Sequence, residues 1–154
     1  MTPIHRIVQW NSDAGLLDKP YDDFLESSFQ IEEALEGFTD LPILANVLSR
    51  NDMVTVQGDT PKDISRAITQ IAGTECDDIS DVDRLDKACD AIVFAVGSMA
   101  KLGLKPEHIE QALNIVMDAN QAKLGCPRDE HGKLTKPENF PNPEPRLQAL
   151  LDSL

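Results

Sequence analysis

The apolar residues of this chain recur at the spacing of α-helices. From Pro20 to Phe38 they follow one another mostly at three- and four-residue steps, which is the helical period. The same period fills residues 82–102, ends before Gly103, and returns from Pro106 to about Gly125. These three segments predict the clearest helices, because the alternating pattern of strands persists nowhere in the sequence.

Shorter segments complete the predicted fold. Thr60 and Pro61 form a typical helix start and predict a helix to about Ile71. Residues 4–17 begin as a helix that breaks near Gly15, and further short helices are expected at residues 41–48 and 146–151. The fold class that we expect is therefore all-α, a helical bundle of about four to five helices.

Half of the ten prolines lie within residues 126–145, which predicts a long, irregular C-terminal arm. Loops of this length are often functional. A polar, acidic connector is expected at residues 73–80. With 154 residues the chain has the size of one domain, so we expect a single all-α domain over residues 1–154 that includes the arm.

The charge and hydropathy of the chain limit its partners. A net charge of -13 repels a phosphate backbone, so nucleic-acid binding is not expected. A small phosphorylated ligand is compatible with this charge if metal ions lie between its phosphates and the protein's carboxylates. No apolar run approaches the roughly 18 residues that span a bilayer, and the first ten residues do not resemble a secretory signal. We therefore expect no membrane association and a cytoplasmic location.

Cysteines and histidines do not form a recognisable site. Cys76, Cys89 and Cys126 are widely spaced, which disfavours a disulfide framework or structural zinc, and Cys89 is expected to be a small core residue. The three histidines lie in different segments and are expected to have surface or capping roles. An EF-hand over residues 78–89 is excluded, because Asp83 stands where its glycine belongs.

Three glutamates share one face of the first clear helix. Glu36 lies four residues after Glu32 and three after Glu33, so its side chain can converge with theirs and the like charges repel. A hard cation such as Mg²⁺ would offset this repulsion. The alternative is a solvated acidic face, which the motif by itself favours.

The long helix carries a second acidic set, in which Asp83, Asp86 and Asp90 repeat the same spacing. Asp90 precedes the apolar residues 91–97, so we expect neighbours to cover it and a partner to bind its carboxylate. Two helices that each direct acidic residues into a bundle are typical of carboxylate-bridged metal sites. The two sets together favour a metal site more strongly than either alone.

With these motifs the chain resembles, over nearly its whole length, the all-α nucleoside triphosphate pyrophosphohydrolases of the MazG type. The resemblance rests on Glu32-Glu33-x-x-Glu36, on Asp90 with Gly97 seven residues later, and on Asn120-x-x-Lys123. A Gly-Lys and proline-rich arm often follows in this family, and residues 132–143 match that pattern.

The resemblance implies Mg²⁺-dependent hydrolysis of a (deoxy)nucleoside triphosphate to the monophosphate and pyrophosphate, with Mn²⁺ as an alternative cation. Glu33, Glu36 and Asp90 are then metal ligands, and Glu32 is either a ligand or the base that orients the attacking water. One position departs from the family pattern, because Lys87 stands where an acidic residue belongs. Either Asp86 takes its place, or Lys87 contacts phosphate and fewer ligands remain for a second metal ion.

The resemblance also implies residues for the rest of the substrate. Asn120 and Lys123 would hold phosphate or sugar oxygens, and Lys133, Lys136 or Arg128 on the arm would close over the phosphates. These arm lysines, like Arg128, have a second interpretation as solvated loop charges, and for Arg128 this second interpretation is favoured.

Trp10 and Asn11 precede the glutamate helix and would supply a stacking face and an amide for base recognition. Core packing is an equally good interpretation of Trp10. By resemblance alone, the chain is expected to form a homodimer or homotetramer.

Two alternatives stay open. The chain would be a non-catalytic helical adaptor or regulatory protein if its acidic faces are only solvated or bind a basic partner, and it would then be indifferent to Mg²⁺. The nearer alternative keeps the hydrolase but changes its substrate to a dinucleotide or a phosphoribosyl nucleotide.

Overall fold

The protein is all-helical in a computed structural model that describes residues 1–50, 55–72, 79–129 and 133–154. Among these residues, β-type pairing occurs only as an isolated bridge between Arg128 and Leu134. The predicted all-α class is confirmed, with seven helices in the described ranges where about four to five were expected. They are α1 (Pro3–Asp13), α2 (Asp23–Leu35), α3 (Leu41–Leu48), α4 (Pro61–Ala72), α5 (Asp81–Lys101), α6 (Pro106–Gln121) and α7 (Glu144–Asp152).

Local chemistry determines where the helices begin and end. The side chain of Asp22 accepts hydrogen bonds from two backbone N–H groups in the first turn of α2, both at 3.0 Å. The helix therefore begins at Asp23 rather than at the predicted Pro20, because Asp22 satisfies donors that a helix start leaves unpaired. Gly15 and Gly103 follow α1 and α5 with φ angles of 62° and 92°, which few residues other than glycine adopt.

Contacts divide the chain into two compact units. The first unit comprises Met1–Lys19 and Val82–Leu154, and the second comprises Pro20–Asp81. The first therefore contains α1, α6, α7 and nearly all of α5, and the second contains α2, α3 and α4. The expectation of one domain over residues 1–154 stays a prediction.

The core of the second unit forms around α4. Ile64 of α4 is fully buried and packs with Leu35 of α2 and Ala45 of α3. Ser28 and Ser65 are also buried, and their hydroxyl oxygens lie 3.3 Å apart, so these polar groups satisfy one another. Because Leu35 belongs to the last turn of α2, this core positions the turn that carries the glutamates.

The core of the first unit forms around α6. Ile109, Ala112 and Ile115 of α6 form a buried hydrophobic cluster together with Leu104 and with Leu150 of α7. The end of α5 reaches the same cluster, and α1 also contacts α6. Thus α6 joins the other helices of the first unit.

The packing of α5 differs from the expectation. The helix has no buried residue, and both Cys89 and Asp90 are exposed, although the sequence predicted that each would be covered. The physical reason is that α5 meets the hydrophobic cluster of its unit near its end, at Met99, while Leu85 and Phe94 remain 66% and 74% exposed. The apolar pattern therefore predicted the helix correctly and its burial wrongly.

Several predicted features lie outside the described residues. They are most of the connector expected at residues 73–80, Cys76, His131 and Gly132. His5 lies on the surface, and His108 takes part in the N-terminal cap of α6. Both described histidines therefore have the predicted surface or capping roles. In the described ranges, no helix is long and apolar enough to cross a membrane.

Truncation of Ile64 is expected to destabilise the second unit. Ile64→Ala removes a fully buried side chain and leaves a cavity, which lowers the free energy of unfolding by about 2–5 kcal/mol. Ile43→Ala is the matched control, because Ile43 is 65% exposed and its truncation is expected to cost less than about 0.5 kcal/mol. Urea unfolding followed by far-ultraviolet circular dichroism measures both values. Equal losses in the two variants would contradict the assignment of this core.

Candidate functional site

Polar side chains of α1 attach this helix to α6. Arg6 donates to the Asn114 side-chain oxygen at 2.7 Å and to an Asp118 carboxylate oxygen at 2.6 Å. One helical turn later, the Trp10 indole N–H donates to the backbone carbonyl of Asn120 at 2.8 Å. The half-buried Trp10 therefore lies at the C-terminal end of α6, beside a residue that the sequence assigned to the substrate.

Two lysines and one aromatic ring lie next to this end of α6. Lys123 Nζ donates to Asn120 Oδ1 at 2.8 Å and lies 5.4 Å from the centroid of the Phe140 ring. Lys136 Nζ lies 5.1 Å from the same centroid. We call Asn120, Lys123, Lys136 and Phe140 the cationic cluster. Three of its members were predicted as substrate-binding residues, and the structure brings these three together.

Phe140 is the member that the sequence analysis did not predict. The available signal was its place as the only aromatic residue among the prolines of residues 126–145. Its ring has a negative face that attracts ammonium groups within about 6 Å of the centroid. Phe140 therefore gives Lys123, which follows α6, and Lys136 of the arm a shared aromatic contact.

Hydrogen bonds hold the arm in place. The Arg128 guanidinium donates to the backbone carbonyl of Ala14, which follows α1. Arg128 is thus more than the solvated loop charge that the sequence favoured, because it ties the arm to the end of α1. The exposed Lys133 lies next to Leu134 of the isolated bridge. Two backbone hydrogen bonds of 2.9 Å lie beside this bridge, from Asp129 N–H to the Lys133 carbonyl and from Thr135 N–H to the Pro127 carbonyl.

The cationic cluster has the chemistry of an anion site. Two ammonium groups lie within 5.4 Å of one ring centroid and offer positive charge to an anion. Lysine is a frequent phosphate ligand in proteins, where it acts as a point charge. Since the whole chain has a net charge of -13, this concentration of positive charge favours a site for phosphate or a similar anion.

Asn11 is the neighbour of Trp10, but its amide has a local partner. Its side-chain NH₂ donates to the Ile7 carbonyl of the same helix at 2.8 Å. A role of Asn11 in base recognition stays a prediction.

Asp118, near the C-terminal end of α6, connects this helix to α1 and α7. Its carboxylate accepts from Arg6 of α1 at 2.6 Å and from Arg146 of α7 at 2.9 Å. The hydrogen bonds from Arg6 and then from Arg146 hold the pKa of Asp118 below its ordinary value of 3.8. Because Asp118 lies two residues before Asn120, its ion pairs with Arg6 and Arg146 stabilise the last turn of α6, which contains the first residue of the cationic cluster.

The predicted metal-binding glutamates lie at the end of α2, in the second unit. Glu32 and Glu33 belong to the last turn, and Glu36 caps the helix with its backbone N–H bonded to the Glu32 carbonyl at 3.2 Å. Glu33 and Glu36 are exposed. A cleft of about 410 Å³ adjoins this turn, lined by Leu35, Gly37, Phe38, Thr39, Asp40, Leu41 and Leu44. The end of α2 thus presents carboxylates beside an accessible cleft.

The second predicted acidic set lies on α5. Asp86, Lys87 and Asp90 are all exposed, and the two aspartates share a face because they are four residues apart. Among the residues that the structure describes, no group of three or more His, Cys, Asp or Glu side chains is arranged to hold a metal ion. The Mg²⁺ ligands named from the sequence therefore stay a prediction.

Known proteins do not identify the chain. Comparisons with protein-family models, curated proteins and solved structures give no significant match. The case for a function consequently depends on the residues and the geometry described above.

Loss of the Asp118 carboxylate is expected to weaken the first unit in a pH-dependent way. Because the group is partly exposed, Asp118→Asn should lower the free energy of unfolding by at most about 1 kcal/mol at neutral pH. The pKa is lowered by folding, so the stabilisation is present above pH 3.8 and is lost as the pH falls through the lower pKa of the folded state.

The fluorescence of Trp10, the only tryptophan, measures this effect, since it reports on the first unit. Glu110→Gln, a change of an exposed carboxylate on the same helix, is the control. The assigned ion pairs would be contradicted if Asp118→Asn and the unchanged chain still differed by the same free energy of unfolding at low pH.

Proposed function

We propose that this protein is a Mg²⁺-dependent nucleoside triphosphate pyrophosphohydrolase of the MazG type, which converts a (deoxy)nucleoside triphosphate to the monophosphate and pyrophosphate. The observation that carries this proposal is the cationic cluster. Asn120 and Lys123 at the end of α6 and Lys136 on the arm, which the resemblance assigns to the phosphates, meet at one aromatic ring. A phosphate ligand would suit this arrangement, because lysine binds phosphate as a point charge.

The carboxylates supply the metal ligands in this proposal. Glu33, Glu36 and Asp90 would hold Mg²⁺, with Asp86 as a further ligand in place of the acidic residue that Lys87 replaces. Their hard oxygen atoms match the preference of Mg²⁺, and all four side chains are accessible. When bound, Mg²⁺ neutralises phosphate charge and lowers the pKa of a coordinated water.

Residues of the chain itself then accept the proton and bind the phosphates and the base. Glu32 accepts a proton from the water that attacks the α-phosphorus, so that a bond from the water oxygen forms while the bond to the oxygen bridging the α- and β-phosphorus breaks. Lys123 and Lys136 hold the phosphates of the departing pyrophosphate, with Lys133 on the same arm. Trp10, whose indole N–H donates to the Asn120 carbonyl, would stack on the base.

We further propose, from the resemblance, a homodimer or homotetramer located in the cytoplasm. The substrate is a free nucleotide rather than a nucleic acid, since a net charge of -13 opposes binding of a polyanion.

The activity is tested by incubating the chain with the common ribo- and deoxynucleoside triphosphates and Mg²⁺ or Mn²⁺, with products identified by mass. Monophosphate and pyrophosphate are the expected products. Glu36→Gln is expected to lower kcat/KM by at least about 100-fold, because it removes a charged ligand from the reacting centre. Glu26→Gln, in the first turn of the same helix, is the matched control and should retain activity within about twofold.

Release of triphosphate or of a single phosphate would contradict the assigned bond. The adaptor interpretation is favoured by the exposed α5 and by the lack of a preformed metal group in the described ranges. It predicts no product from any nucleotide, and it predicts that Glu36→Gln and Asp90→Asn leave both thermal stability and Mg²⁺ binding unchanged.

Binding to the cationic cluster is tested separately through the fluorescence of Trp10. A nucleotide with a non-hydrolysable α,β-bridge is expected to change this fluorescence, because Trp10 and Lys123 both bond to Asn120. Lys123→Gln should raise the dissociation constant about tenfold or more, since it removes one charge-assisted hydrogen bond. Lys105→Gln, an exposed lysine before α6, is the control and should bind normally. An unchanged dissociation constant in Lys123→Gln would mean that the phosphates do not bind at the cationic cluster.

A further inference from the structure

A groove of about 650 Å³ lies between α6 and α7 of the first unit. We call it the α6–α7 groove, and the residues that line it are different from those of the cationic cluster. Its floor is apolar and contains Ile115 and Leu150, which are 4% and 6% exposed. The volume is that of a small-molecule site, since such sites measure about 300–1,000 Å³ and combine an apolar lining with a few polar groups.

The polar lining of the groove follows one face of α6. Glu107, Gln111 and Asn114 lie four and three residues apart, so they share this face. At about 1.5 Å per residue, Glu107 and Asn114 are about 10 Å apart along the helix. Arg146 of α7 lines the groove at the Asn114 end, because it bonds to Asp118 one helical turn further along α6. The groove therefore has a carboxylate at one end and a guanidinium at the other.

The Asn114 end carries a net positive charge. The guanidinium groups of Arg6 and Arg146 lie here with one carboxylate, that of Asp118. Arg146 uses one nitrogen for Asp118 and is 57% exposed, so the guanidinium has further N–H donors for a ligand. The side-chain oxygen of Asn114 accepts from Arg6 at 2.7 Å, and its NH₂ group is a second donor. This end suits a carboxylate.

The opposite end and the middle of the groove have a different chemistry. Glu107 is exposed in the first turn of α6, and no basic group of the described residues pairs with its carboxylate. An ammonium group is the natural partner of such a carboxylate. Between the two ends, the side-chain amide of Gln111 can both donate and accept, as a peptide group requires. The floor beneath it offers contact to an apolar side chain.

We propose that the α6–α7 groove binds a short peptide of about three residues with free termini and an apolar central side chain. An extended chain spans about 3.3 Å per residue, so three residues cover the roughly 10 Å between the charged ends. The peptide's ammonium group binds at Glu107, and its carboxylate binds at Arg146 and Asn114. The central side chain contacts Ile115 and Leu150. This site does not depend on the proposed nucleotide hydrolysis.

Isothermal titration calorimetry with the tripeptide Ala-Leu-Ala tests the groove. We expect a dissociation constant on the order of 1 mM, because the ligand is small and the groove is open to solvent. The N-acetylated and the C-amidated tripeptides should each bind at least about fivefold more weakly, since each lacks one charge-assisted hydrogen bond. Backbone amide signals of Gln111 and Ala149, which both line the groove, are expected to shift on binding of the free peptide.

Two substitutions assign the contacts. Glu107→Gln should weaken binding of Ala-Leu-Ala about fivefold and leave the affinity for the N-acetylated peptide unchanged, because that peptide has no ammonium group to lose. Glu110→Gln, an exposed carboxylate of α6 outside the groove, is its control. Ala149→Phe should abolish binding, because the exposed Ala149 lines the groove and the larger ring fills it. Gln148→Phe, an exposed neighbour outside the groove, should bind normally.

Four outcomes would overturn the proposal. The first is the absence of binding at about 10 mM Ala-Leu-Ala, roughly ten times the expected dissociation constant. The second is equal affinity for the free and the N-acetylated peptides, which would indicate recognition of a carboxyl terminus alone. The third is an equal loss of affinity for both peptides in Glu107→Gln. The fourth is a shift of the Lys123 signal without shifts at Gln111 and Ala149, which would mean that the peptide binds at the cationic cluster.

Discussion

The polar attachment of α1 to α6 is the constraint on which the candidate site depends. Arg6 and Trp10 lie one helical turn apart and bond to Asp118 and Asn120, so that α1 is fixed at two successive points along α6. Asn120 uses its backbone carbonyl for Trp10 and its side-chain oxygen for Lys123. One residue therefore couples the position of the N-terminal helix to the position of a lysine in the cationic cluster.

The arm depends on the same attachment. Arg128 reaches the carbonyl of Ala14 at the end of α1, and further along the arm Lys136 and Phe140 complete the cationic cluster. The centroid of the Phe140 ring lies 5.4 Å from one ammonium group and 5.1 Å from the other, in a strongly acidic chain. Such a site suits a ligand that combines an anionic end with an aromatic group, and a nucleotide has both.

Most of the fold could be predicted from the sequence because helical periodicity and helix caps are local. α3 occupies the predicted residues 41–48, and α5 begins within one residue of its prediction. Asn120 and Lys123, which the resemblance assigned to the same substrate, are hydrogen-bonded to each other. The exposure of α5 could not be predicted, because an apolar stripe does not specify what covers it. The roles of Asp118 and Phe140 depend on contacts between distant segments, such as Arg6 with Asp118, which are 112 residues apart.

The proposed function requires that the chain binds a nucleotide together with a divalent cation, with the phosphates at the cationic cluster. Paramagnetic broadening of backbone amide signals by Mn²⁺, recorded with and without a non-hydrolysable nucleoside triphosphate, tests it most directly. The account predicts that Mn²⁺ with nucleotide broadens the signals of Glu33, Glu36 and Asp90 together, and that the nucleotide shifts the signal of Lys123. Broadening spread evenly over the acidic surface, unaffected by nucleotide, would contradict it.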